Sequence, residues 1–157
     1  TIVSYGDIIY RPSIVKKLLA SPCSLGITYD KSWLDLWKLR FENPLDDAEQ
    51  FQHKDGYLQA IGEKVTDLEQ INGQYMGLLK ISVQSWQKIK GYLLSLPKEE
   101  LQKKDMTSLL SELLSLGHSI STVAIDGGWV EVDNPSDIIC YEKQLSQTTN
   151  WIHDWRE

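Results

Sequence analysis

The stretch Gly127-Gly128-Trp129-Val130-Glu131-Val132-Asp133-Asn134-Pro135 narrows the folds open to this chain more than any other. In an extended segment successive side chains point to opposite faces, so Trp129, Glu131 and Asp133 share one face while Val130 and Val132 share the other. That alternation predicts a strand. Asn134 is a good helix N-cap, Pro135 suits the first helical position and Asp137 follows three residues after the cap, so a helix is expected where the strand stops. Asp133 therefore falls at a strand-to-helix corner. In open α/β sheets ligands gather beyond the carboxyl ends of the strands, and a carboxylate there is well placed to hold a metal. The plainer alternative is that these acids only cap the helix and solubilise the corner.

A second acid stands in a similar place. Ile2, Val3 and Tyr5 form an apolar run ended by Gly6-Asp7, as expected of a central strand running into a loop. Arg11-Pro12 then opens a predicted helix with Ile14, Val15, Leu18 and Leu19 at helical spacing, and Ser24 to Tyr29 reads as a strand closing at Asp30. Strand, helix, strand is the pattern of a parallel βαβ unit.

Ser32 to Phe41 is predicted helical, with Trp33, Trp37 and Phe41 on one face. Such a stripe is either core or an aromatic surface for a quaternary ammonium group. Arg40 could meet a phosphate or phosphonate bidentately, or pair with Asp46, Asp47 or Glu49 at the surface. Further on, Asp55-Gly56 signals a hairpin. Gly73 to Ile81 reads as a strand in which Gly77 leaves room beside Tyr75 for a ligand or a close packing neighbour. Helices are expected over residues 83–96 and 108–116, with Asp105 either capping the second or contacting a cationic substrate group. Ile120 to Ile125 is expected to pair with Trp129 to Asp133 as a hairpin through Asp126-Gly127-Gly128. After the last helix, from Pro135 to about Leu145, the segment Trp151 to Trp155 is expected to fold back as a short helix.

Composition excludes several classes. With 157 residues, 41% hydrophobic and 24% charged, the chain has the size and balance of one globular domain. The net charge of −6 argues against a duplex-binding surface, so no nucleic acid partner is expected. No apolar run approaches the roughly 20 residues of a membrane span, and no signal peptide is visible. Cys23 and Cys140 lack metal-ligand spacing, which makes reduced thiols in a cytoplasmic protein the expectation. No His has a partner at metal spacing, and neither a nucleophile elbow nor a phosphate loop is present.

Tyr5-Gly6-Asp7-Ile8, Trp37-Lys38-Leu39-Arg40-Phe41, Asn43-Pro44-Leu45-Asp46-Asp47-Ala48-Glu49, Gly73-Gln74-Tyr75-Met76-Gly77-Leu78, Asp105-Met106-Thr107 and Trp129-Val130-Glu131-Val132-Asp133, taken together and in this order, resemble one family. They are similar to bacterial nucleotidyltransferases of the phosphocholine cytidylyltransferase type, relatives of the sugar-phosphate nucleotidyltransferases. The resemblance implies a Rossmann-like α/β sheet flanked by helices. It implies transfer of a nucleotide from a nucleoside triphosphate, CTP above all, to phosphocholine, aminoethylphosphonate or a sugar phosphate, with release of pyrophosphate. By the same resemblance Asp7 and Asp133 hold a catalytic Mg²⁺, with Glu131 as a further ligand, and Trp37, Arg40, Gln74, Tyr75, Asp105 and Trp129 are candidates for the acceptor pocket.

Members of the family carry a glycine-rich nucleotide-binding loop after their first strand, and nothing here matches it. Residues 1–157 are therefore expected to be one domain, the C-terminal portion of a nucleotidyltransferase domain, with little activity alone. A sheet edge exposed by that division would invite pairing with a second copy as a homodimer. The rival expectation is a non-catalytic interaction domain of this fold, its aromatic stripe turned toward a partner chain.

Overall fold

A computed structural model describes residues 1–156. Its centre is a six-stranded mixed sheet whose strands are β1 (Ile2–Ser4), β3 (Leu25–Asp30), β4 (Glu49–Lys54), β5 (Tyr57–Lys64), β6 (Gln74–Ile81) and β7 (Ser121–Ile125). They lie in the order β1-β6-β3-β7-β5-β4. Two short strands, β2 (Ile8–Tyr10) and β8 (Trp129–Glu131), pair antiparallel outside that sheet. The helices are α1 (Pro12–Ala20), α2 (Trp33–Arg40), α3 (Val83–Ser95), α4 (Lys98–Lys103), α5 (Met106–Ser115) and α6 (Pro135–Gln147). No helix is long and apolar enough to cross a membrane, among the described residues.

Burial explains the sheet's order. β3 is buried at all six positions and β6 at seven of its eight, as expected of strands covered on both faces. The helical stripe of α1 sets Ile14 and Leu18 into the core, and α5 contributes Leu110 and Leu113. Each such side chain is worth about 1.5–3 kcal/mol when fully removed from water. The predicted hairpin at Asp55-Gly56 forms between β4 and β5, with both turn residues at positive φ, 53° and 81°.

Three local expectations fail. β1 is an edge strand, paired on one side with β6, and β6 runs antiparallel between β1 and β3. β1 and β3 therefore point the same way without touching, and the parallel pair in the sheet is β3 with β7. β7 and β8 also do not form a hairpin. Gly127 and Gly128 both take positive φ, and the chain leaves the sheet there, so that β8 meets β2 with Trp129 opposite Tyr10 and Glu131 opposite Ile8. The segment 151–155 makes turns and no helix, although Trp151 and Trp155 do share a neighbour, the Tyr141 ring at 5.8 and 6.2 Å.

Candidate functional site

Alternation along β8 divides two faces of the molecule. Val130 and Val132 turn into an apolar groove of about 570 Å³ with Ile9, Ile138 and Trp155. Glu131 and Asp133 turn the other way, into a cavity of about 210 Å³ lined also by Tyr5, Trp37, Asp47, Glu49, Gln74, Tyr75 and Thr107. Asp7 sits in the bend between β1 and β2, and its carbonyl accepts the Val132 N–H at 2.9 Å, which stitches the bend to β8. One carboxylate oxygen each from Asp7, Glu131 and Asp133 lies within 4.8 Å of the others. The two strand-end acids and the residue between them in pattern thus meet in space.

Arg40 is the counter-charge to this group. Its side chain is completely buried, with Nη1 2.9 Å from Glu131 and Nη2 on Asp133 and 3.5 Å from Asp137. The guanidinium also lies 5.3 Å from the Trp37 ring centre and 5.0 Å from that of Phe41. The expected pairing with Asp46, Asp47 or Glu49 does not occur: the end of α2 turns Arg40 inward, toward partners 91 to 97 residues away in sequence. Burial works against the charge of Arg40, but neighbouring Tyr141, Glu131 and Asp133 outweigh it and raise its pKa. Burial pushes the Glu131 carboxyl up to about 7, with Asp133 adding to the rise and Arg40 opposing it.

Helix α6 holds the corner. The Asp137 carboxylate accepts the backbone N–H groups of Asp133 and Asn134 at 2.9 and 3.0 Å, closing the capping arrangement read from the sequence. The Tyr141 hydroxyl donates to the Glu131 carbonyl at 2.6 Å. Both contacts fix the backbone from which Glu131 and Asp133 project.

The cavity beside the acids is aromatic and polar at once. Trp37 donates through Nε1 to Asp47 at 3.1 Å, and Tyr5 meets Tyr75 edge to face at 5.8 Å. Gln74 Oε1 is buried there without a hydrogen-bond partner within the chain, and the Tyr75 hydroxyl has only the neighbouring Tyr5 hydroxyl beside it. Burial, helped by Asp105 and Asp47, raises the pKa of Glu49. Burial, with Asp105 and Glu49, takes the Tyr5 hydroxyl to about 12.

Of the other candidates, Gln74, Tyr75 and Trp37 line this cavity, whereas Trp129 and Asp105 do not. Trp129 is buried behind Trp37 at 6.3 Å and donates its indole N–H to Asp30 at 2.9 Å. Asp105 caps α5, accepting the Ser108 N–H at 2.7 Å, a bond that lowers its pKa. Gly77, at φ 79°, has the Tyr5 ring where its Cβ would stand, 2.6 Å away, so the space beside Tyr75 is filled from within the chain. Trp33 and Trp37 are buried, which leaves no aromatic stripe on the outside of α2. The sequence assigns Asp137 only to the start of α6 and gives no site role to Asp30 or Tyr5. An acid closing an otherwise apolar strand was the available signal for Asp30.

No family model matches the chain. The inositol-1-phosphate CTP transferase of T. maritima superposes with a TM-score of 0.59 at 17% identity, over 87% of this chain and 50% of that one. A nucleoside-diphosphate-sugar pyrophosphorylase from Vibrio cholerae gives 0.52 at 13% identity, over 93% and 55%. The fold is thus that of the nucleotidyltransferases. Within that class the chain is a sequence homologue of the CTP:phosphoglutamine cytidylyltransferase of Campylobacter jejuni, 37% identical over 143 residues, which cover 87% of this chain and 56% of the relative. The chain accordingly spans about half the length of the relatives it matches.

Proposed function

We propose that this chain forms the metal and acceptor wall of a nucleotidyl-transfer site, one that joins the nucleotide of an NTP, CTP above all, to a small phosphorylated acceptor and releases pyrophosphate. The observation that carries this reading is the convergence of Asp7, Glu131 and Asp133 within 4.8 Å, beside a cavity that holds the unpaired Gln74 Oε1. Three hard carboxylate oxygens fit Mg²⁺, which keeps several positions for water and phosphate oxygens. When bound, Mg²⁺ neutralises charge on the phosphates during an in-line displacement.

The chain's own residues do the rest. Asp137 and Tyr141 hold the backbone of β8, and Arg40 keeps Glu131 and Asp133 from repelling one another apart. Trp37, Tyr5 and Tyr75 wall the acceptor in, which displaces water and orients its phosphate toward the acids. Gln74 Oε1 is an acceptor and Asp47 and Glu49 are acids, so the lining suits an acceptor whose far end bears ammonium or amide N–H donors. The homologue is named for phosphoglutamine, a phosphorylated amino acid. Phosphocholine and aminoethylphosphonate have a cationic end. A sugar phosphate would meet Asp47 and Glu49 through hydroxyl donors, without a cationic end.

The test is Asp133→Asn in the protein as its native gene encodes it. Mg²⁺-dependent release of pyrophosphate from CTP and a phosphorylated acceptor is expected to vanish while the far-UV circular dichroism stays unchanged. Transfer at the parent rate in that variant removes Asp133 from the mechanism.

A further inference from the structure

The strand that carries Trp129, Glu131 and Asp133 is anchored at its start from two directions. On one side stands Asp30, the last residue of β3, completely buried. Its Oδ1 accepts the backbone N–H groups of Ser32 and Gly127, both at 2.9 Å, and its Oδ2 accepts the indole N–H of Trp129 at 2.9 Å. On the other side stands the irregular segment after α6, whose Ile152 carbonyl accepts the Gly128 N–H at 2.8 Å. The fit is tight enough that a Cβ on Gly127 would collide with that carbonyl oxygen.

The next residue joins the two anchors. His153 is completely buried although its segment has no regular structure, and its Nδ1 lies 3.5 Å from Asp30 Oδ2. The ring nitrogens face Asp30 and the backbone of Ser32 and Trp129 at long range, without a short hydrogen bond to any of them. Trp151 at 5.7 Å seats the same ring from the α6 side.

We propose that Asp30 and His153 are positioning residues that clamp the C-terminal segment over the Gly127-Gly128 turn, and that this clamp sets the metal affinity of Asp7, Glu131 and Asp133. The inference rests on the metal reading above. Its physical basis is register. Glu131 lies two residues beyond Trp129, whose indole is tied to Asp30, and Val132 is tied to the Asp7 carbonyl. If the turn loosens, β8 can rotate, and in a strand of period two a slip of one residue turns the acids away from Asp7. Residues that orient metal ligands from behind typically change affinity 10- to 100-fold when lost.

The experiment measures Mn²⁺ binding to the 157-residue chain by the electron paramagnetic resonance signal of free Mn²⁺. His153→Leu is expected to weaken binding by about tenfold or more while retaining the parent far-UV circular dichroism. His153→Gln, which can still offer an N–H to Asp30, is expected to stay within about threefold of the parent, since it keeps the contact that Leu removes. A folded His153→Leu with parent affinity overturns the clamp alone; a parent chain that binds no Mn²⁺ overturns the metal reading and the clamp together. A measurement free of substitutions guards against misfolding. By linkage, Mg²⁺ must slow hydrogen exchange at the Gly127 and Gly128 N–H groups and at the Trp129 indole if the clamp and the ion are coupled. Unchanged exchange at all three under saturating Mg²⁺ overturns the coupling.

Discussion

Two acidic centres face opposite ends of β8, and they are built on opposite principles. Asp30 is sealed from water, and three N–H donors at 2.9 Å satisfy it. The second group brings the carboxylates of Asp7, Glu131 and Asp133 together, with Asp7 and Asp133 open to solvent, and the Arg40 guanidinium meets Glu131 and Asp133 but pairs with Asp137 rather than Asp7. A carboxylate that accepts several N–H bonds has no need of a cation. A group of three acids in which one guanidinium reaches two, and is itself shared with Asp137, is short of positive charge. The difference separates an acid used as a fastener from acids that the proposed function leaves to an ion, although both stand at the ends of strands.

The sharpest way to break this contrast is to remove the single cation. In Arg40→Met the completely buried guanidinium disappears, and Glu131, Asp133 and Asp137 lose their compensation. Breaking a buried ion pair from one side costs about 3–5 kcal/mol. The midpoint in urea should fall accordingly, and millimolar Mg²⁺ should restore part of the loss, because a divalent ion can take over the compensation. Equal destabilisation with and without Mg²⁺ would show that the acids do not converge on a common cation site. Asp30→Asn should come next, at about 2–3 kcal/mol, since a charge-assisted acceptor becomes a neutral amide facing donors. Here Mg²⁺ should give less recovery than in Arg40→Met, the reverse of expectation if the two centres were alike.

Much of this contrast was legible in the sequence, and the illegible part has one cause. Asp7, Glu131 and Asp133 announced themselves through strand alternation and a capped helix start, which are local signals. The β4–β5 hairpin, the α2 stripe and the boundaries of α6 were legible for the same reason. For Arg40 the sequence offers a phosphate contact or a pairing with the nearby Asp46, Asp47 or Glu49, whereas its partners come from β8 and α6. The supposed hairpin of β7 and β8 failed likewise. Asp126-Gly127-Gly128 carries a turn signal, but nothing local reveals that Asp30 and Ile152 capture the two glycine N–H groups and send the strand to β2. His153 was invisible, since a lone histidine in a loop has no pattern, and only the packing of Trp151 and Asp30 around it gives it a role.

The pH dependence of stability reports on the sealed centre. Burial lowers the pKa of His153, with Asp30 opposing. The unfolded histidine titrates near 6.5, so below about that pH the unfolded chain takes up a proton that the folded chain resists. Stability is thus highest above about pH 6.5 with respect to this group, and it falls as pH drops below that value by up to about 1.4 kcal/mol per unit. His153→Gln should flatten this part of the profile, as read from urea midpoints between pH 5 and 7. A slope unchanged by the substitution would mean that the folded and unfolded chains hold the His153 proton equally, and that burial does not lower its pKa.

The smallest expected effect is the most discriminating. Asp133→Asn removes one of three crowded carboxylates and keeps a similar shape, and its side chain is 39% exposed. Loss of its contact with Arg40 is offset by relief of repulsion with Glu131, whose own pKa Asp133 helps to raise. The net change in stability without metal should therefore stay within about 0.5 kcal/mol, the range of an ordinary surface substitution. A loss of several kcal/mol would mean that Asp133 is fastened as firmly as Asp30, and the two strand ends would then be alike. A stable variant with weakened Mg²⁺ binding separates them. Its acid would be one that folding can spare and an ion cannot.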